Sequence, residues 1–159
     1  MRRTEAPAPA APTSGWTVDA THEHVLPVRV YYEDTDAGGI VYYVNYLKFA
    51  ERARTEMLRL IGREQFDMLA GEGVGFTVRR CEVDYLAPAR LDDALEVRTT
   101  LVDVGGASMR LRQRIVKGEA LLADMRLRLA LIDRGGRPAR MPKDIRDALT
   151  PHALGDADA

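Results

Sequence analysis

The chain has 159 residues, 46% of them hydrophobic and 30% charged, with a formal net charge of −1, enough for one domain with a real core and too little for two. Nothing in that balance calls for nucleic acid or an anionic membrane as a partner, and no window approaches the roughly 20 apolar residues that span a bilayer, so membrane contact would be peripheral at most. A single cysteine, Cys81, allows no internal disulfide and falls in a strand-like stretch where a small thiol is ordinarily core; the chain suits a reducing, cytoplasmic setting.

Residues 1–22 read as a disordered Ala/Pro-rich tail. Met1-Arg2-Arg3 hints at export, but Pro7, Pro9 and Pro12 fall where a signal peptide needs a helical apolar stretch. Residues 23–151 are expected to form the single domain, and 152–159 a disordered end, frayed from Gly155 onward. Leu26 to Glu33 alternates and is rich in β-branched and aromatic residues, as a strand should be. A loop from Asp34 to Val44 follows, then a helix from Tyr46 to Ile61 with Asn45 as its cap and Gly62 as its stop. At about 100° per residue, Tyr46, Leu47, Phe49, Ala50, Ala53, Met57, Leu58, Leu60 and Ile61 share one side, and Lys48, Glu51, Arg52, Thr55, Glu56 and Arg59 the other. Arg54 falls inside the apolar arc; its stem can lie along apolar surface while the guanidinium pairs with Glu51. Arg63 to Glu72 suggests a shorter helical segment, ended by Gly71 and Gly73.

Four strands are expected next: Gly75 to Leu86, Ala94 to Val104, Ser108 to Lys117 and Glu119 to Ile132. The links Gly105-Gly106 and Gly118 are short enough to favour antiparallel hairpins. Leu111 and Ile115 oppose Arg110, Arg112 and Arg114 in alternation. Pro142 to Leu149 reads as a last short helix with Pro142 at its start. One strand, a long helix and a four-strand meander give an α+β order, the helix laid across one face of a five-stranded antiparallel sheet.

Chemistry concentrates in the loop before the long helix. Asp34 and Asp36 could be simple turn formers, since aspartate bonds nearby backbone N–H groups. Their context points further: Gly38 and Gly39 let another molecule approach the main chain, and the helix start presents unpaired, partly positive N–H groups suited to a carbonyl oxygen gaining charge. Acyl transfer from a thioester needs little else, because a thiol of pKa about 8.5 leaves far more easily than an alcohol. Other hydrolytic machinery is missing: His22, His24 and His152 are the only histidines and fall outside the predicted core, there is no Gly-x-Ser-x-Gly elbow, and neither an HExxH helix nor clustered Cys and His offers metal ligands.

The run Tyr31 to Tyr46, YYEDTDAGGIVYYVNY, resembles the signature of the hotdog-fold acyl-CoA thioesterases of the 4-hydroxybenzoyl-CoA thioesterase type, in particular the YbgC-like branch associated with the bacterial Tol-Pal system. The likeness extends from Val28 to Ile61 and more loosely to Asp133. It implies a hotdog fold, hydrolysis of acyl-CoA thioesters, no cofactor beyond the coenzyme A of the substrate, and a homodimer with a continuous sheet, commonly paired into a homotetramer. By the same resemblance Asp36 matches the catalytic carboxylate, which either attacks the thioester carbonyl or activates a water. The backbone N–H of Tyr43 matches the oxyanion donor, and Gly39, Val41, Thr77 and Val78 match substrate contacts, with Asp36 of one chain facing the Gly75 to Val78 region of the other. The branch commonly carries histidine where this chain has Tyr43, and a phenol of pKa about 10 cannot act as a general base at neutral pH. A mechanism that relies on imidazole there is excluded.

Some hotdog thioesterases place their carboxylate on the long helix, but Glu51 and Glu56 stand among Arg52, Arg54 and Arg59, where ion pairing accounts for them. The strand arginines Arg79, Arg80, Arg98, Arg110, Arg112, Arg114, Arg126 and Arg128 indicate a solvated face or a subunit contact; the functional alternative is a grip on the phosphates of coenzyme A or the acidic face of an acyl carrier protein. The rival reading of the whole chain is a non-catalytic acyl-CoA or acyl-carrier-protein binding module. A hotdog hydratase would want a catalytic histidine in the loop or helix, and that segment has none.

Overall fold

The computed structural model describes residues 15–16 and 22–155; the remainder of the expected tails lies outside them. In chain order the elements are β1 (Gly15–Trp16), β2 (His24–Arg29), a 3-10 turn (Tyr32–Asp34), α1 (Tyr43–Leu60), α2 (Gln65–Asp67) running into a π turn (Met68–Glu72), β3 (Val74–Tyr85), β4 (Ala94–Val104), β5 (Ser108–Lys117), β6 (Ala120–Asp133) and α3 (Lys143–Leu149), closed by a 3-10 turn (Thr150–His152). The strands form one sheet in the order β1-β2-β4-β5-β6-β3, every pair antiparallel. This is the expected hotdog arrangement with a sixth, two-residue strand added: Gly15 and Trp16, inside the span read as tail, pair with Val25 and His24.

Helix α1 lies against one face because its sequence repeats apolar residues at helical spacing. Tyr46, Phe49, Ala50, Ala53, Met57 and Leu58 are buried and meet a sheet face built from Val28, Val97, Leu111, Ile115, Met125 and Leu131. Each large apolar side chain so buried contributes about 1.5–3 kcal/mol. Leu47 and Leu60, assigned to the apolar side by periodicity, are exposed, so the buried arc is narrower than expected. Arg54 is buried within it, donating to Gln113 Oε1 at 2.7 Å and ion-paired with Glu51. The Gln113 amide in turn donates to the Ala50 carbonyl and the Thr99 hydroxyl, each at 3.0 Å. The helix thus crosses the sheet with a buried guanidinium bonded at both of its terminal nitrogens.

Several boundaries depart from the sequence reading. The helix begins at Tyr43, with Tyr42 as its flanking residue; Asn45 is not the cap, because its side chain is drawn inward to donate to the Asp34 carbonyl at 2.8 Å. The strand expected from Leu26 to Glu33 is β2, which begins at His24 and ends at Arg29 and turns His24 into the core. It is fully buried, contrary to the expectation that all three histidines lie outside. Cys81 is exposed rather than core, since β3 is an edge strand with β6 as its only neighbour among the described residues. Gly71 continues the π turn, and Gly73, at φ +71°, is the breaker. The C-terminal stretch follows β4: the Leu154 and Gly155 N–H groups donate to the Leu101 and Val102 carbonyls.

Candidate functional site

The loop from Asp34 to Tyr42 is fixed before it carries any chemistry. Asp34 is buried; its Oδ2 accepts from the Tyr31 N–H at 2.8 Å, and its carbonyl accepts from the Tyr42 N–H at 2.9 Å and the Asn45 amide at 2.8 Å. One residue thereby ties the end of the first strand's extension to the first turn of α1. The loop is also braced from the segment after β3. The Val41 N–H donates to the Ala89 carbonyl at 2.9 Å, and the Ala89 N–H donates to the hydroxyl of the buried Tyr46 at 2.9 Å. Val41, matched to a substrate contact, is itself buried.

Asp36 is different in kind. It is exposed, and its backbone closes a tight turn, Asp36 N–H to the Ile40 carbonyl at 2.9 Å and Gly39 N–H to the Asp36 carbonyl at 3.0 Å. Its Oδ1 accepts from the Gly38 N–H at 2.8 Å and more weakly from Ile40 at 3.4 Å. Among the described residues Oδ2 has no hydrogen-bond partner. A Cβ on Gly38 would stand 3.1 Å from Oδ1, and Gly39 sits at φ +76°, a conformation that side-chain-bearing residues rarely adopt. The glycines therefore serve the carboxylate's placement as well as the turn.

The chain enters α1 directly after this loop, so the Tyr43 and Val44 N–H groups stand in the first turn, where no intrahelical acceptor exists. The Tyr43 side chain is exposed and packs edge-on to Tyr42 and Tyr85. The Tyr85 hydroxyl donates to the Tyr43 carbonyl at 3.1 Å, linking the end of β3 to the helix start. None of the flanking phenols is poised as a base. A side-chain hydrogen bond with Tyr43 that favours the protonated phenol pushes Tyr42 above its ordinary value, and burial does the same to Tyr46 and Tyr85.

Thr77 and Val78 lie on β3, where they line a small cavity of about 30 Å³ with Glu51, Arg54, Gln65 and Phe76. That cavity does not include Asp36, Gly39 or Tyr43. Within one protomer the structure brings together Asp36, Gly39, Val41 and Tyr43 and leaves Thr77 and Val78 apart from them. Among the described residues no group of His, Cys, Asp and Glu could hold a metal, and no helix is long and apolar enough to cross a membrane. Tyr85, Tyr46 and Asn45 are the loop's supports that sequence reasoning missed. Asn45 had a legible signal, a polar residue one position before the apolar run, which fits a buried anchor as well as a cap; Tyr85 had none, its contact spanning 42 positions.

Both the sequence and the fold are similar to those of known proteins. Residues 30–149 match the thioesterase-like superfamily. The acyl-CoA thioester hydrolase YbgC of Escherichia coli is 49% identical over 121 residues, covering 75% of this chain and 90% of that protein. The acyl-CoA thioesterase YbgC of Haemophilus influenzae is 42% identical over 124 residues, 77% of this chain and 91% of that one. Among solved structures, a probable thioesterase from Bartonella henselae superposes with a TM-score of 0.73 at 37% identity, covering 76% of this chain and 99% of its own. A hypothetical protein from Thermus thermophilus gives 0.76 at 32%, with coverages of 83% and 98%.

Proposed function

This chain belongs to the thioesterase-like superfamily, and from that premise we propose that it hydrolyses acyl-CoA thioesters to free acid and coenzyme A, with Asp36 as the catalytic carboxylate. The observation that carries the reading is the half-engaged state of that side chain: Oδ1 is held by Gly38 while Oδ2 of the exposed carboxylate has no hydrogen-bond partner among the described residues. A carboxylate so held reaches an incoming carbonyl carbon, or a water bound against it, without first losing its own freedom. The Tyr43 N–H supplies the oxyanion contact, its partial charge reinforced by the helix dipole. The Tyr43 ring forms one wall of the approach, and Gly39 leaves room for the pantetheine arm.

The pocket is completed by a second copy. Strand β3 is 12 residues long and, among the described residues, has β6 on one side only, an edge that natural sheets seldom leave open. Pairing of β3 with its counterpart in a partner brings a second copy's Thr77 and Val78 toward the Asp36 loop, in a homodimer that pairs again into a tetramer. An acyl carrier protein is an alternative donor of the acyl group.

Purified protein given a panel of acyl-CoAs and a thiol-trapping dye tests the reading. Thiol release is expected on some chain lengths, and Asp36→Asn should lower kcat by about a hundredfold or more while circular dichroism stays unchanged. A single turnover in ¹⁸O-water that puts label into the Asp36 carboxyl group identifies a nucleophilic Asp36 whose mixed anhydride is opened by water at the aspartyl carbon. Acyl-CoA binding without turnover would make the chain a binding module instead, and loss of activity in Asp34→Asn but not Asp36→Asn would move the assignment.

A further inference from the structure

The peptide between Tyr43 and Val44 is held by a contact that closing the loop does not require. The Asn45 N–H donates to the Tyr42 carbonyl at 2.8 Å, so the first turn of α1 has used its third donor. The Tyr43 and Val44 N–H groups have no acceptor among the described residues. They are consecutive donors at the start of an 18-residue helix, and both share the partial positive charge of that end.

The other end of that peptide, the Tyr43 carbonyl, accepts from the Tyr85 hydroxyl at 3.1 Å, in addition to the i+4 N–H that a helix supplies to its own carbonyls. The fold brings the phenol there by several contacts. Tyr85 ends β3 opposite Ala123 of β6, and the next two N–H groups, those of Leu86 and Ala87, both donate to the Leu122 carbonyl. Its ring meets that of Tyr43 edge-on, with centroids 6.1 Å apart at 90°, and that of Tyr46 at 5.6 Å. The Tyr46 hydroxyl is already occupied by the Ala89 N–H, so of these two phenols it is Tyr85 that serves the helix start. An amide accepts and donates as one conjugated unit. A donor on its oxygen draws charge from its nitrogen and strengthens the bond its N–H can make by ~10–30%. The N–H of the peptide that Tyr85 polarises is the unpaired one of Val44.

We infer that the Val44 N–H is a second oxyanion donor beside that of Tyr43, and that Tyr85 is a positioning residue that acts through the carbonyl of the same peptide. The inference rests on the hydrolytic reading given above. In either mode of attack, the electron pair of the thioester carbonyl moves onto oxygen as the new bond to carbon forms. It returns as the C–S bond breaks and coenzyme A leaves as the thiolate. Two N–H groups share the charge on that oxygen, and the Tyr85 bond counts most at the moment the charge develops. A residue that only braced the loop would alter stability or KM, whereas one acting on the oxyanion lowers kcat.

Two variants of the full chain cut this peptide at its two ends. Tyr85→Phe keeps the ring and removes the hydroxyl, and Val44→Pro removes the N–H within the first turn, where the helix ladder does not need it. On an acyl-CoA that the wild type hydrolyses, Val44→Pro should lower kcat about a hundredfold and Tyr85→Phe about three- to tenfold, with KM within about twofold in both. Tyr32→Phe, which removes an exposed hydroxyl outside these contacts, should leave both constants unchanged. In ¹H–¹⁵N spectra of the substrate-free protein the Val44 amide proton should move upfield in Tyr85→Phe, a readout that needs no turnover. If Val44→Pro fails to fold by circular dichroism, Tyr85→Phe, which loses one oxygen from a half-exposed ring, carries the comparison. Wild-type kcat in either folded variant, a rise in KM in place of the fall in kcat, or an unmoved Val44 resonance would overturn the inference and leave the role of Asp36 standing. Absence of thiol release by the wild type on every acyl-CoA would overturn the hydrolytic reading itself, and this inference with it.

Discussion

Burial of His24 makes the stability of this protein depend on pH in a way that one substitution should remove. The imidazole is fully buried, neither ring nitrogen has a hydrogen-bond partner among the described residues, and it meets the edge of Trp16 with ring centroids 5.7 Å apart. Desolvation therefore lowers its pKa from 6.5 to about 4, against a smaller raising effect of Glu56. The folded value lies below the unfolded one, so as pH falls the unfolded chain binds its proton first, from about pH 6.5, and the folded chain follows only near pH 4. Stability is thus lost across that window. The two-pKa expression gives a loss of about 2 kcal/mol by pH 5 and about 3 kcal/mol by pH 4. His24→Leu removes the titrating group and two unsatisfied polar atoms together. Urea unfolding of both proteins at pH 7.5, 6, 5 and 4 isolates the term, because every other carboxylate and histidine titrates in both. The difference in unfolding free energy should grow in favour of the variant by about 3 kcal/mol between pH 7.5 and pH 4. A difference that stays constant across the series would refute the reasoning and mean that the imidazole finds a partner, most simply a water shared with Glu56.

Two further outcomes follow from buried hydrogen bonds. Gln113→Ala strips the Arg54 guanidinium of an acceptor and the Ala50 carbonyl and Thr99 hydroxyl of a donor, so the urea midpoint should drop by the equivalent of about 2–4 kcal/mol with the slope unchanged. Asp34→Asn weakens the charge-assisted bond from the Tyr31 N–H and should cost about 1–2 kcal/mol in thermal unfolding, while thiol release falls less than tenfold, because the loop keeps its backbone ties to Tyr42 and Asn45.

What was legible in the sequence is what repeats. Strands β4 and β5 coincide with the expected spans Ala94 to Val104 and Ser108 to Lys117, because alternation and glycine links are local signals. The helix face was legible for the same reason, and so was the pairing of Arg54 with Glu51, three positions apart. Gln113 as the second partner of Arg54 was not, since 59 positions separate them. His24 and Cys81 failed in opposite directions from one cause: burial depends on which strands are central and which are edges, and a single strand's text does not carry the sheet order. The start of α1 failed for a finer reason. Asn45 meets the requirements of a cap, but the Asp34 carbonyl, 11 positions earlier, competes for its side chain and lets the helix begin at Tyr43.

The two aspartates of the loop show how the plain reading of a residue and the functional one can both hold. Asp34 spends its carboxylate on the Tyr31 N–H and its carbonyl on Tyr42 and Asn45, which leaves it buried and committed to structure. Asp36 makes the same kind of turn bond, Oδ1 to the Gly38 N–H, and by the usual test would be dismissed as another turn former. Yet a carboxylate has two oxygens and needs only one to close a turn. The bond on Oδ1 restrains the side chain and leaves Oδ2 without a partner among the described residues, and the bare Cα of Gly38, where a Cβ would press within 3.1 Å of Oδ1, lets the bond form. A free aspartate on a mobile loop would have to be ordered by each substrate in turn, with loss of rotamer entropy every time. Here the fold has ordered it already, so the turn contributes the pre-organisation that the role proposed for Asp36 requires.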